Sequence, residues 1–169
     1  MNDQHRHTLF HRWAEEYRSL LYKVVRSYTT NLANQQDLLQ EISLQLWRST
    51  AYFRAEAKAS TWVYRIALNT AISWSTRISR QAKQAKEMPP PSPTVASTEV
   101  DERLEWLYAE INLLHEIDRS LCLLMLDGFS YREMSQILGI STSNVGVKIN
   151  RIKKRLSERS QQVKNYGIQ

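Results

Sequence analysis

The chain has 169 residues, enough for one ordinary domain or two small ones, and its 42% hydrophobic and 24% charged residues exclude wholesale disorder and collagen-like structure. Only 4 Gly and 4 Pro are present, which disfavours β-sandwiches and barrels with many tight turns, so a mostly helical protein is expected. The net charge of +6 divides into +6 for residues 1–88, −6 for 89–127 and +6 for 128–169. Two basic segments around an acidic one indicate two surfaces for a polyanion, although ordinary solvated helix faces are the alternative.

Three helices are predicted in the N-terminal half. The first carries an apolar stripe at three- and four-residue steps, formed by Phe10, Trp13, Tyr17, Leu20, Leu21, Val24 and Tyr28. The second runs from an N-cap at Asn34 to Ser49 and turns Leu38, Ile42 and Leu46 to one face. The third begins near Ser60 and buries Val63, Ile66, Ala67, Thr70 and Trp74. A small helical bundle follows from these three patterns.

The segment 81–100 loses apolar periodicity and gathers Pro, Ser, Thr and small residues, which is typical of a flexible linker. We therefore expect an all-α protein with two small helical domains. Residues 1–80 form the bundle, 81–100 the linker and 101–169 a second domain that contains a helix-turn-helix.

The second domain begins with two further helices. One carries Leu104, Leu107, Tyr108, Ile111 and Leu114, and the next is capped by Asp118 and stops at Gly128. A capping box, Ser130 to Glu133, then opens a short helix that Gly139 ends. A longer basic helix follows, with apolar residues at Val145, Ile149, Ile152 and Leu156.

A short helix, a glycine turn and a basic second helix form the pattern of a DNA-binding helix-turn-helix. The alternative is that the basic residues only stabilise the C-terminal end of their own helix by opposing its dipole. Side chains early in the second helix are expected to meet base edges, and later ones phosphates. The candidate DNA contacts are Ser143, Asn144, Lys148, Arg151, Lys154 and Arg155.

Aromatic and basic residues alternate around the polar loop of the first domain, at Tyr52, Phe53, Arg54, Lys58, Trp62, Tyr64, Arg65 and Asn69. Such mixtures suit single-stranded nucleic acid, because aromatic faces stack on unpaired bases while cations follow the backbone. For Phe53 and Trp62, packing in the bundle core is the favoured interpretation.

These residues carry a resemblance to a known family. The stretches 37–41, Trp47, 52–54 and 61–69 resemble region two of bacterial RNA polymerase sigma factors of the extracytoplasmic-function (ECF) type. Residues 127–134, 138–141 and 145–156 are similar to region four of the same family. The two matches occur in family order on either side of a linker. The chain departs from the family pattern in two places: the Asp and the two Arg residues that often follow Asn69 are absent, and so is the Leu-Pro that commonly opens region four.

The resemblance implies a non-enzymatic protein without a cofactor or metal, which binds core RNA polymerase and promoter DNA. It places Asp37, Gln40, Glu41 and Trp47 on the polymerase. It assigns the minus-ten element to Arg54, Lys58, Ser60, Arg65, Asn69 and Arg77, and the minus-thirty-five element to the helix-turn-helix. It also implies an anti-sigma factor, in some relatives tethered to the membrane, as a further partner.

Other classes of protein are less well supported. A helix-turn-helix repressor or activator that is not a polymerase subunit is the alternative. The histidines His5, His7 and His11 include one i, i+4 pair, but a mobile basic tail is favoured over a metal site. The lone Cys122 excludes an intramolecular disulfide. No secretory signal is readable and the longest apolar run, residues 121–126, is too short for a bilayer, so a cytoplasmic location is expected.

Overall fold

The computed structural model describes residues 3–84 and 101–165, and these ranges contain helices and no strand, which confirms the all-α prediction. The helices are α1 (Asp3–Glu16), α2 (Arg18–Tyr28), α3 (Leu32–Ser49), α4 (Ala59–Gln84), α5 (Glu102–Asn112), α6 (Glu116–Leu126), α7 (Tyr131–Leu138) and α8 (Thr142–Asn165). A short 3-10 helix, Thr50–Tyr52, follows α3. Because α4 continues through Gln84, the first four residues of the predicted linker are helical, and residues 85–100 lie outside the described part of the chain.

The first predicted helix is two helices. The chain changes direction at Tyr17, whose backbone (φ −103°, ψ 17°) interrupts the helix between α1 and α2. The break does not disturb the apolar stripe, because Trp13, Leu21 and Val24 are all buried. The segment expected to be a mobile basic tail is instead helical from Asp3 onward.

Two N-caps differ from the sequence prediction. Helix α3 begins two residues before Asn34, because the Asn31 side chain accepts a hydrogen bond from the Asn34 backbone N–H at 2.9 Å. Helix α6 has His115 in the N-cap position, so Asp118 lies within its first turn rather than before it. Asn and Asp are favourable both at the N-cap and in the first turn of a helix, so the apolar period of the sequence does not fix the residue at which a helix starts.

The N-terminal core lies between α1, α2, α3 and α4. Leu38, Ile42 and Leu46 of α3 are fully buried, as the helix period predicts. Phe53 packs edge-to-face on Trp13, with ring centroids 4.9 Å apart, and on Trp62 at 5.7 Å. These contacts support the core interpretation of both rings and fix the loop that follows Phe53.

The helix-turn-helix forms as its sequence predicts. The Ser130 Oγ accepts from the Glu133 N–H while the Glu133 carboxylate accepts from the Ser130 N–H, which completes the capping box and lowers the pKa of Glu133. Gly139 adopts the left-handed conformation (φ 68°) that residues with a Cβ rarely adopt. Ser141 then caps α8 by accepting from the Asn144 N–H. The angle between α7 and α8 is therefore set by local backbone chemistry.

The two halves pack against each other. The buried Tyr28 of α2 shares a hydrogen bond of 2.6 Å with Ser120 of α6, and Tyr64 of α4 donates to Asp127 and packs edge-to-face on Phe129. Burial raises the pKa of Tyr28 to about 12, and burial together with the Asp127 carboxylate raises the pKa of Tyr64 still further. Both phenols are therefore hydrogen-bond donors at neutral pH.

The acidic middle of the chain neutralises part of each basic segment. Asp127 pairs with Lys23 and Glu105 with Arg26, both across the two halves. Glu110, buried on α5, pairs with Arg159 at 2.8 Å, and Asp118 pairs with Lys148 at 2.8 Å. The charge blocks in the sequence thus describe contacts within the protein as well as surfaces for a polyanion.

Candidate polymerase and nucleic-acid surfaces

The residues predicted to bind polymerase share the exposed side of α3, with one exception. Asp37 accepts from the indole N–H of Trp74 at 3.2 Å, and Glu41 accepts a two-pronged hydrogen bond from Arg77, at 2.7 and 3.3 Å. Gln40 is exposed between them. Asp37 and Glu41 are therefore oriented by α4, and the Glu41 carboxylate raises the pKa of Arg77.

Trp47 is the exception, because α1 covers much of its ring. His7 lies against it with ring centroids 4.5 Å apart, Phe10 packs edge-to-face at 5.8 Å, and the Arg6 guanidinium lies 4.7 Å above it. In the described residues, no group of three or more His, Cys, Asp or Glu side chains could hold a metal ion. His7 is placed against the Trp47 ring, and His11 lies beside His7 and Phe10.

Sequence reasoning missed Leu44, which is 46% exposed and lies one helical turn beyond Gln40 and Glu41. An apolar side chain among polar neighbours on an exposed face is suited to a partner protein. The helical period of the sequence could have identified Leu44 as an exposed apolar residue, since it does not share the buried face of Leu38, Ile42 and Leu46.

The loop between the 3-10 helix and α4 opens onto a pocket of about 460 Å³. Its lining combines three aromatic rings with two guanidinium groups, from Tyr52, Phe53, Trp62, Arg54 and Arg65, together with Glu56 and Ala57. Tyr52 is 73% exposed, so one face of its ring is free to stack. Flat apolar walls beside fixed cations are suited to an unpaired base and its phosphate.

A second concavity, of about 430 Å³, lies between the halves. Two of the residues predicted to bind the minus-ten element line this concavity and not the first pocket. They are Lys58 and Ser60, which line the concavity together with Asp127 and Glu133 from the second half. Asn69 is exposed one turn beyond Arg65, on the side of the pocket. Arg77 lies apart from the others, in its ion pair with Glu41.

The loop itself contains a strained residue. Ala55 has φ 58°, a left-handed conformation that is uncommon for residues other than glycine. It follows Arg54 directly, so the strain lies beside a guanidinium of the pocket.

On α8, five of the six predicted DNA contacts are exposed: Ser143, Asn144, Arg151, Lys154 and Arg155. Lys148 is not on this open face. Its ammonium donates to Asp118 of α6, and its side chain is only 27% exposed. Lys148 sits about 60° from Val145 around the helix, close enough to the core side to reach α6. Base contact by Lys148 would require this pair to break.

Comparison with known proteins matches both halves of the chain. The sigma-70 region 2 family covers residues 13–82, and the sigma-70 region 4 family covers residues 104–156. The ECF RNA polymerase sigma-E factor of Haemophilus influenzae is 27% identical over 141 residues, 74% of this chain and 74% of that protein. The RNA polymerase sigma factor YlaC of Bacillus subtilis is 26% identical over 166 residues, 92% of this chain and 93% of that protein.

Two solved structures share the fold at 20% sequence identity each. The sigma factor RpoE of Bartonella quintana, in complex with the anti-sigma factor NepR, gives a TM-score of 0.74 over 88% of this chain and 94% of that one. CnrH, in complex with the cytosolic domain of CnrY, gives 0.61 over 90% of this chain and 88% of that one.

Proposed function

The chain belongs to the sigma-70 family as an ECF-type sigma factor that directs RNA polymerase to promoters, and from that premise we propose how its residues divide the work. The α3 face of Asp37, Gln40, Glu41 and Leu44 binds core polymerase. The pocket beside α4 receives an unpaired base of the minus-ten element, and the outer face of α8 reads the minus-thirty-five element. The protein acts by binding rather than by catalysis.

The observation that carries this proposal is the joining of two different nucleic-acid surfaces in one chain. An aromatic pocket with Arg54 and Arg65 suits single-stranded DNA, whereas a capped recognition helix with an exposed Arg151 suits a duplex groove. A protein that opens promoters needs both. The region 2 match over residues 13–82 favours this role over that of a separate helix-turn-helix repressor.

We extend the proposal to partners and location. The structurally similar RpoE of Bartonella quintana was captured with an anti-sigma factor, and we propose that this chain too is held by one. Among the residues described, no helix combines the length and apolarity needed to span a membrane. We place the protein in the cytoplasm with the polymerase, so a membrane-tethered regulator would supply its own anchor.

The linker belongs to the same proposal. We propose that residues 85–100 join a region 2 domain that ends with α4 to a region 4 domain that starts near α5, which moves the boundary of the first domain past residue 80. Limited proteolysis of the free protein tests this boundary, since the first cut is expected after Gln84.

Transcription in vitro tests the proposed function. Core polymerase is incubated with the protein and a promoter library randomised at both elements, and templates that yield transcripts are sequenced. We expect one bipartite element to be enriched, and no transcripts without the protein. Transcription that does not depend on the protein would overturn the proposal.

A matched pair of variants tests the polymerase face. Leu44→Asp should weaken binding to core polymerase at least tenfold, because it places a charge at the one apolar position of the proposed contact. Leu113→Asp is the control, since Leu113 is 61% exposed but lies beyond α5. Equal binding by the two variants would show that the α3 face is assigned wrongly.

A further inference from the structure

One apolar side chain stands in the middle of the outer face of α8. Val147 is 48% exposed, whereas Val145 and Ile149 on either side of it along the chain are fully buried. With about 3.6 residues per turn, a shift of two residues carries a side chain to the opposite side of the helix. Val147 therefore projects directly away from the core of the helix-turn-helix.

Its neighbours on the outer face are polar. Ser143 and Asn144 lie one turn before Val147, and Asn150 and Arg151 lie one turn after it, all of them exposed. A single exposed apolar residue is common on protein surfaces and means little by itself. Here it occupies the position that a recognition helix presents to the floor of a groove.

The surroundings allow close approach at this point. Lys148 is drawn aside to Asp118, and Gly146 has no side chain and faces the Tyr131 ring, which a Cβ would meet at 3.5 Å. No long cation therefore stands between Asn144 and Arg151 on the outer face. The methyl groups of Val147 are therefore open to a ligand on this face.

We propose that Val147 contacts the 5-methyl group of a thymine in the upstream promoter element and so helps to set its sequence. This inference rests on the proposed function of α8. In the major groove, the thymine methyl is the one apolar group on a base edge, and small apolar side chains are its usual partners. Asn150 and Arg151 then read the neighbouring base pairs by hydrogen bonds.

Replacement of thymine by deoxyuridine tests the contact, because it removes this methyl group and leaves every hydrogen-bonding group in place. The upstream element is first obtained by selection with polymerase carrying the full-length protein. Each thymine of that element is then replaced singly by deoxyuridine, and binding of the duplex is measured at one salt concentration. Loss of one buried methyl contact corresponds to about a fourfold weaker complex.

We expect one thymine whose replacement weakens the wild-type complex about fourfold, and no such loss at that position with Val147→Ser, which replaces the two methyl groups by a hydroxyl. Leu126→Ala is the control, because Leu126 is 50% exposed but lies at the end of α6, and it should keep the fourfold response. Circular dichroism should show both variants folded.

The possible outcomes distinguish failure of the thymine contact from failure of the proposed role of α8. A selected element in which no thymine responds, or a response that persists in Val147→Ser, overturns the thymine contact and leaves the sigma factor assignment intact. Selection that enriches no upstream element overturns the assignment of α8 and the thymine contact together.

Discussion

The surface proposed for the minus-ten element, at the start of α4, and the surface proposed for the minus-thirty-five element, on α8, carry similar chemistry in different surroundings. Arg65, beside the pocket, donates to the backbone carbonyl of Gln136 in α7 at 2.6 Å, and Lys58 faces a cleft shared with Asp127. On α8, by contrast, Asn150 and Arg151 are exposed. One surface is partly covered by the other half of the protein, and the other is open.

Under the proposed function, this difference implies that Arg65 serves two contacts in turn, first with α7 and then with DNA. A DNA strand that binds the Arg65 guanidinium competes with its hydrogen bond to Gln136 of α7, which is the first helix of the helix-turn-helix. Each polar contact between the halves contributes about 1 kcal/mol, and surface ion pairs contribute less. Apolar packing such as that of Tyr64 on Phe129 adds to these polar contacts, so polymerase or DNA must supply contacts that outweigh both in order to separate the halves.

Two arginine variants should separate the surfaces, and this is the largest expected effect. Arg54→Ala should lower promoter opening at least tenfold while leaving upstream duplex binding unchanged, and Arg151→Ala should do the reverse, since charge-assisted hydrogen bonds contribute about 1.5–3 kcal/mol. Permanganate reactivity of unpaired thymines reports opening, and gel retardation reports binding. Arg80→Ala, late in α4, is the control. Variants that lose both readouts in parallel would contradict the division.

Weakening the contact between the halves should increase the affinity of the protein for single-stranded DNA. Asp127 accepts from both Tyr64 and Lys23, so Asp127→Asn and Tyr64→Phe each remove part of this network. Loss of about 1 kcal/mol should raise the affinity of free protein for a single-stranded minus-ten oligonucleotide about fivefold. Fluorescence anisotropy measures this affinity.

The control is Glu102→Gln, an exposed carboxylate in the first turn of α5 that is remote from the network. Unchanged affinity in Asp127→Asn and Tyr64→Phe would show that the packed arrangement does not limit access to the pocket.

The sequence was most informative where local chemistry decides the structure. Ser130, Glu133 and Gly139 specify a capping box and a left-handed turn within ten residues, and the structure forms both. The apolar stripe of α3 likewise follows from helix period alone. The break at Tyr17 has no such local mark, because the stripe continues through it and neither Gly nor Pro is present.

Contacts between distant segments were harder to predict. Lys148 has the right position for a base contact, but the Asp118 that captures it is thirty residues away in the chain. The covering of Trp47 was hard to predict for the same reason, since His7, which lies against its ring, is forty residues earlier in the chain, on α1. Charge blocks hinted at internal pairing between the acidic middle and the basic ends, but they did not identify partners.

Salt dependence should sharpen the contrast within α8 by a smaller amount. Lys154→Ala and Arg155→Ala should each reduce the magnitude of the negative slope of log affinity against log salt by about 0.9, because both side chains are exposed late in the helix, where phosphate contacts are expected. Lys148→Ala should leave the slope unchanged while its pair with Asp118 persists. Binding of one duplex at four salt concentrations measures all three. A shallower slope for Lys148→Ala would place that side chain on DNA.

The last expected effect concerns the stability of the covered surface at alkaline pH. The pKa of Tyr64 is raised mainly by its burial and further by its hydrogen bond to Asp127 and the charge of that carboxylate, with a smaller contribution from Tyr108. An unfolded tyrosine ionises near pH 10, so above about pH 10 the unfolded state loses a proton that the folded state keeps. Stability from this group is therefore complete below about pH 10 and falls as pH rises, by up to about 1.4 kcal/mol per pH unit.

Urea unfolding between pH 8 and pH 11 checks this expectation. Tyr64→Phe should be less stable than wild type at pH 8, and the two free energies of unfolding should converge as pH rises, because the variant has no phenol to ionise at this site. Tyr52→Phe is the control, since Tyr52 is 73% exposed and should leave the pH dependence unchanged. Parallel curves for wild type and Tyr64→Phe would mean that the phenol ionises as readily in the folded protein as in the unfolded chain. Tyr64 would then be in contact with solvent, and the two halves would be separated in the free protein.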